Sequence, residues 1–190
     1  MKHLTFLCCF LALNLQAATI VENGAGKAVI VINEAAFSST NVYIPYRAQI
    51  GTAESRIKMA AMEIQNYIQK MSGAKLDIVS ERNHIKGVRI LVGKSRYTEK
   101  EKDIRSGLTP ERNEEGFLIE CRGDEIILAG NDDGPYFGSY YAAVEFLNRL
   151  GVRWFMPGDM GEVVPRLKTI TFPDGKSVEK PSFRVRMWWC

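Results

Sequence analysis

Between Thr52 and Gly73, the apolar residues Ile57, Ala60, Ala61, Ile64, Tyr67, Ile68 and Met71 recur every three or four positions. This stripe is the feature that most constrains the fold. A helix that is apolar on one face and polar on the other is stable only when a second layer covers the apolar face. Its ends are marked as well. Thr52 can cap the first turn with its hydroxyl, and Gly73 supplies the left-handed residue on which many helices stop.

The second layer is written in short β-branched runs. Ala28-Val29-Ile30-Val31-Ile32 reads as a buried strand, Asn41 to Ile44 as a weaker one stopped by Pro45, and Leu76 to Val79 and Val88 to Val92 as two more. Phe117-Leu118-Ile119 and Ile126-Ile127-Leu128 flank a Gly123-Asp124 turn and form a hairpin. The charged stretch Arg96 to Glu115 ahead of this hairpin has little periodicity and reads as a surface loop with a short helical piece. A second helix is expected after Asn131-Asp132-Asp133-Gly134-Pro135, because proline suits a first helical turn that has no use for its missing amide hydrogen. Its inward face is expected to be Phe137, Tyr140, Tyr141, Val144, Leu147 and Leu150, closed by Gly151. Val152 to Phe155, Val163-Val164 and Thr169 to Phe172 add further β segments. The order of elements predicts an α+β fold: a mostly antiparallel sheet with two helices packed on one face.

The start of the chain reads as a targeting signal rather than as part of that fold. Lys2 and His3 precede the apolar run Leu4 to Leu13, and Leu15-Gln16-Ala17 offers a cleavage site before Ala18. A basic start, an apolar core of roughly 7–15 residues and a small-residue site describe a secretory signal. The run falls short of the ~18 apolar residues of a membrane span. Cys8 follows Leu7 rather than a small residue, so Cys8 and Cys9 read as members of the apolar core and not as lipid attachment points. Residues 1–17 are therefore expected to be a signal peptide and the product to be exported, to the periplasm or beyond the cell. The formal net charge of +3 includes Lys2, so the remainder is close to neutral and lacks the basic face that nucleic acid requires. Beyond the signal only Cys121 and Cys190 remain, and spacing alone leaves their pairing open.

Several residues invite a chemical reading. The carboxylates of Asp132 and Asp133 sit among glycines, yet the loop lacks the continuing oxygen pattern of a calcium site. Helix capping explains them better. As neighbours they do not face each other across a glycosidic bond, as the paired carboxylates of a glycosidase do. His84 lies in the polar connection Arg82 to Gly87, with no nucleophile motif beside it. No phosphate or dinucleotide loop is present, and no cofactor or metal is implied. Tyr136, Phe137, Tyr140, Tyr141 and Phe146 crowd one helix ahead of Trp154-Phe155; at helical spacing such rings are expected to be core, although flat rings also stack on sugars. The tail Phe183-Arg184-Val185-Arg186-Met187-Trp188-Trp189-Cys190 alternates like a strand at first and would leave an apolar edge if exposed.

Taken in order, these pieces resemble a known family. Gly130 to Gly134 leads into Tyr140 to Leu147, then Leu150-Gly151-Val152-Arg153-Trp154-Phe155, Pro157-Gly158, and Gly161 to Pro165. Tyr67 to Gly73, Ile90 to Gly93 and the closing Pro181 to Arg186 fit the same pattern. Together, over residues 25–186, they resemble the N-terminal accessory domain of bacterial α-glucuronidase-like glycoside hydrolases, a domain often joined to a large domain of unknown function. The resemblance implies a hexosaminidase accessory-domain-like sandwich over residues 25–180. It also implies that residues 181–190 begin a catalytic (β/α)8 barrel, which would carry the catalytic carboxylates. No catalytic residue is carried over to this chain. In such a barrel Arg186 or Trp188 would reach a sugar pocket, arginine through paired bonds to a uronate and tryptophan by stacking, or would serve as barrel-core or interdomain contacts.

Three functions compete on these grounds. A non-catalytic domain that positions a downstream barrel of the same polypeptide predicts an uncovered apolar surface around Trp154 and the tail. A stand-alone extracellular module binding oligosaccharide or polysaccharide predicts solvent-facing aromatic residues along a groove, with the tail tucked into the domain. A small hydrolase would need converging carboxylates, with Glu145, Asp159 and Glu162 the candidates, and no spacing supports them.

Overall fold

The computed structural model describes residues 16–40, 51–99 and 116–180. The signal core, the segment Asn41 to Ile44, most of the charged loop after Arg96, Cys190, and both Arg186 and Trp188 lie outside the described residues.

The helical stripe forms as the periodicity predicts. After β1 (Ala17–Glu22), β2 (Ala25–Gly26), β3 (Ala28–Ile32) and a short α1 (Glu34–Ser38), the long α2 spans Ala53–Ser72. The Thr52 hydroxyl accepts a bond from the Ser55 amide at 3.3 Å, and Gly73 ends the helix at φ 83. Ile57, Ala60, Ala61, Ile64, Tyr67, Ile68 and Met71 are all buried. Each large aliphatic side chain among them contributes roughly 1.5–3 kcal/mol by leaving water.

The remaining elements are β4 (Ile78–Ser80), β5 (Val88–Val92), β6 (Phe117–Arg122), β7 (Glu125–Gly130), α3 (Gly138–Arg149), β8 (Arg153–Trp154), a single 3-10 turn (Asp159–Gly161), β9 (Glu162–Val163), β10 (Ile170–Pro173) and β11 (Gly175–Glu179). The main sheet has six strands in the order β11-β6-β7-β5-β3-β4. Antiparallel pairings predominate among the described strands taken together, and the α+β class holds. Within the main sheet, however, β3–β4, β3–β5 and β5–β7 are parallel, while β6–β7 and β6–β11 are antiparallel. α2 is the crossover that lets β3 and β4 run parallel.

Both large helices lie on one face of this sheet, as expected. Ile30, Ile32, Ile90, Val92, Ile119, Ile126 and Leu128 share one buried cluster with α2 and α3. A small antiparallel sheet, β10-β1-β2, joins the same cluster through Ile20, Ile170 and Phe172, with the Phe172 ring centroid 4.9 Å from that of Phe146. The opposite face buries Val31, Leu91, Leu118, Ile127 and Ala129, so the central strands are apolar on both sides. The expected signal cleavage before Ala18 falls at the second residue of β1 and leaves the pairings from Ala18 onward in place.

The second helix departs from expectation in two ways. It begins at Gly138 rather than at Pro135, and it buries Ser139, Ala142, Ala143, Phe146 and Leu147 rather than the face through Tyr140 and Tyr141. At this late start β7 and α3 touch backbone to backbone. A Cβ on Gly130 would lie 2.6 Å from the Gly138 carbonyl carbon, and one on Gly138 would lie 2.7 Å from that of Gly130. The rotation follows from helix packing. Ala142 and Ala143, with Ala60 and Ala61 of α2, are fully buried, so small residues occupy the helix contact and the large rings are displaced to its rim.

Candidate functional site

Those displaced rings build a cleft of about 500 Å³. Glu63 and Tyr67 of α2 form one wall, Tyr140, Tyr141, Val144 and Leu147 of α3 another, and the β8–β9 hairpin with Trp154, Phe155 and Glu162 the third. Residues four apart on a helix share a face, which places Glu63 and Tyr67 side by side. The hairpin register sets Trp154 opposite Glu162, so both side chains reach α2 together.

Tyr67 is the hub that fixes the hairpin. Its hydroxyl accepts the Trp154 indole N–H at 2.6 Å and donates to Glu162 Oε1 at 2.6 Å. Lys70 Nζ donates to Glu162 Oε2 at 2.8 Å and lies 4.8 Å from the centre of the Tyr67 ring. The Tyr67 and Trp154 rings meet edge to face, 5.2 Å apart at 88°. Burial and the bond to the Glu162 carboxylate push the Tyr67 hydroxyl up to about 12. The bonds from Lys70 and Tyr67 hold the Glu162 carboxyl below the usual range. Glu63 behaves oppositely. Burial raises its pKa, and among the described residues no side chain donates to its carboxylate.

Beyond this anchored base the hairpin turns its apolar side chains outward. Trp154 is 37% exposed, Phe155 77%, Met156 58% and Met160 97%. The turn is held by the Phe155 amide donating to the Gly161 carbonyl at 2.9 Å, and Gly161 packs so closely on Met156 that no side chain fits there. The expectation that the crowded aromatics are core therefore holds for Phe146, holds in part for Tyr140, which is half-buried against the core while lining the cleft, and fails for Tyr141, Trp154 and Phe155, which are exposed along it.

The acidic loop acts as a cap, from an unexpected distance. Asp132 is buried; its Oδ1 accepts the Ser139 amide at 3.0 Å and its Oδ2 the Ser139 hydroxyl at 2.6 Å. Ser139 Oγ in turn accepts the Gly130 amide at 3.1 Å. Arg56, almost fully buried, donates to the carbonyls of Gly51 at 2.9 Å, Asp132 at 2.6 Å and Gly134 at 2.8 Å, and stacks 5.0 Å above the Phe137 ring. Burial lifts the Asp132 carboxyl to about 6, against the opposing pull of the Ser139 bonds and the Arg56 charge. Asp133 points away and meets Lys94 at 3.1 Å, so the two carboxylates do not converge on a cation.

The other sequence candidates are dispersed. Glu145 pairs with Arg149 at 3.0 Å, Asp159 sits in the exposed 3-10 turn, and of the three proposed carboxylates only Glu162 lines the cleft. His84 is exposed in its loop. Cys121 is a buried free thiol, raised to about 11 by burial and by its bond to Asp174. Sequence reasoning missed Glu63, whose one signal is its position one turn before Tyr67.

Comparison with known proteins bears on this geometry. Residues 31–142 match the family model described as Glycosyl hydrolase family 67 N-terminus. No curated protein matches the chain. Among solved structures, the fold is similar to that of a family GH115 4-O-methyl-alpha-glucuronidase with specificity for decorated arabinogalactans, with a TM-score of 0.50 at 14% identity. That similarity covers 87% of this chain but only 18% of the other.

Proposed function

Because this chain belongs to the glycosyl hydrolase family 67 N-terminus, we propose that it is the non-catalytic front domain of an exported, α-glucuronidase-like glycoside hydrolase. In this reading it packs against a downstream (β/α)8 barrel of the same polypeptide and holds that barrel in its working orientation. The observation that carries the reading is the β8–β9 hairpin. A Tyr67–Glu162–Lys70 network anchors it rigidly from below, while Phe155, Met156 and Met160 are presented to solvent. Apolar side chains held out on a fixed base suit a permanent partner better than a passing one. The small share of the GH115 structure that this domain matches agrees with a minor part in a larger enzyme.

The test is to produce the barrel with and without this domain and compare melting temperature and hydrolysis of glucuronate-bearing oligosaccharides. A barrel that is equally stable and equally active alone would sink the packing reading. Export is tested separately by fusing residues 1–17 to a periplasmic reporter, and a reporter that stays in the cytoplasm removes that part.

A stand-alone glycan-binding module is the second reading, favoured by Tyr140, Tyr141 and Trp154 lining an open cleft. It predicts that neutral oligosaccharides change the tryptophan fluorescence of the isolated chain.

A further inference from the structure

The cleft holds flat rings whose planes are set before any ligand arrives. The Trp154 indole N–H lies in the ring plane, so its bond to the Tyr67 hydroxyl ties one edge of the indole and fixes its orientation. Tyr141 is steadied by its neighbours in sequence, its ring centroid 6.3 Å from those of Phe137 and Tyr140, and Phe137 is itself stacked under Arg56. Tyr141 and Trp154 nevertheless stay 36% and 37% exposed. Rings already held in place lose little side-chain freedom when something binds to them.

The polar lining sorts ligands by charge. Glu63 and Glu162 face the cleft, and no described lysine or arginine lines it. Glu162 is engaged by Tyr67 and by Lys70, which offsets its charge. Glu63 receives no side-chain donor among the described residues, so its oxygens are open to a ligand. A uronate would bring like charge against Glu63. A cationic side chain would lose hydration for a partly exposed ion pair worth ~0–1 kcal/mol. An uncharged polyol meets neither obstacle. A neutral pyranose also suits the shape, because its C–H face can lie flat on a ring while the hydroxyls at its edge donate to a carboxylate. The volume of about 500 Å³ falls within the range of small-ligand sites.

We infer that the cleft is a binding site for a neutral pyranose residue of a glycan, with Tyr141 and Trp154 as its stacking platforms and the Glu63 carboxylate accepting its hydroxyls. The inference rests on the glycan-binding reading and deepens it: the ligand is the uncharged part of a sugar chain, and an acidic sugar is turned away. A glucuronate-bearing glycan would be held by this domain at an undecorated residue, with the decoration left free for a catalytic partner. Met160, the most exposed apolar residue of the hairpin, is not a wall of the cleft, so sugar binding and barrel docking can coexist.

The test titrates the whole 190-residue chain with the 1,4-linked trisaccharides of glucose, galactose and mannose, and with the C6-oxidised, uronate form of each, by calorimetry and ligand-observed NMR. At least one neutral trisaccharide is expected to bind with a Kd of about 1 mM or tighter, and its oxidised form about fivefold or more weakly. Tyr141→Ala is expected to lower the neutral affinity about tenfold, and Tyr141→Phe, which keeps the ring, to recover most of it. That rescue separates a lost platform from a misfolded variant. Glu63→Gln is expected to weaken neutral binding and to erase the discrimination against the oxidised forms. Oxidised sugars that bind as well as neutral ones, or neutral binding indifferent to both Tyr141→Ala and Glu63→Gln, overturn the inference while leaving the glycan-binding reading in place. A trilysine peptide that binds more tightly than any trisaccharide overturns it too, because the cleft is then a cation site. If no trisaccharide of either kind binds at about 10 mM, the inference and the glycan-binding reading fall together.

Discussion

The Arg56–Asp132–Ser139 node and the Glu63–Tyr67–Trp154 cleft are built from the same materials, carboxylates and cations beside aromatic rings, and they serve opposite ends. In the node each donor of Asp132's surroundings is turned inward, and the group knots the end of β7 to the start of α3. In the cleft only the base is tied, through Tyr67, and everything above it faces outward. Polar residues that look catalytic in a sequence can thus be wholly occupied in holding the backbone. The surface available to a partner is assembled instead from rings that a tight helix contact has expelled.

Four measurements would break or sharpen this contrast. The largest effect is expected from Arg56→Ala, which removes the donor to three carbonyls, that of Asp132 buried, and empties a buried side-chain site; it should cost about 3–5 kcal/mol in urea unfolding. A loss below about 1 kcal/mol would show that the node is not structural.

Next comes the pH dependence of the node. The folded Asp132 carboxyl titrates at about 6, above its ordinary 3.8, so the native state takes up this proton before the unfolded chain does as pH falls. Its contribution to stability is therefore fully present below about pH 4 and is lost as pH rises through about 6. Asp132→Asn, compared with the unaltered chain from pH 7 to pH 4, should remove that component. Parallel curves would mean that Asp132 is not buried as a carboxylate.

Tyr67→Phe comes third. It deletes the hydroxyl that joins Trp154 to Glu162, and should cost about 1–2 kcal/mol and loosen the hairpin, seen as faster amide exchange at residues 154–162. The smallest effect belongs to Phe155→Ser, which should change the stability of this domain by less than about 0.5 kcal/mol. The same substitution should weaken the joined enzyme. A large loss in the isolated domain would instead place Phe155 in the domain's own packing.

How much of this was legible depends on whether one pattern had one solution. α2 was readable because its stripe is narrow, with polar residues filling the rest of each turn, and Thr52 and Gly73 marking both ends. The hairpin β6–β7 was readable from its turn. Strand direction was not: Ala28–Ile32 is apolar at every position, which is what burial on both faces demands but which fits parallel and antiparallel neighbours alike. α3 failed for a related reason. Tyr140 through Leu147 is apolar almost all round, so periodicity offers two faces, and the choice between alanines and tyrosines is made by how closely α2 approaches. The cleft inherits that ambiguity. Its aromatics were visible, but their orientation depends on a contact between residues some eighty positions apart. The family resemblance read from residues 25–186 agrees with the family model matched over 31–142, because it rested on the order of many short pieces rather than on the orientation of any one.

The small sheet has a consequence in time. β1 finds its partner in β10, so Ala18 waits for Phe172, nearly the whole length of the described chain later. Pairings this remote in sequence form slowly, because the loop between them must close before either strand gains anything. A chain threaded head first through a narrow translocation channel would remain unlatched until its last strands had emerged. Under the export proposed above, the late latch would let the polypeptide stay thin enough to pass and lock only on the far side.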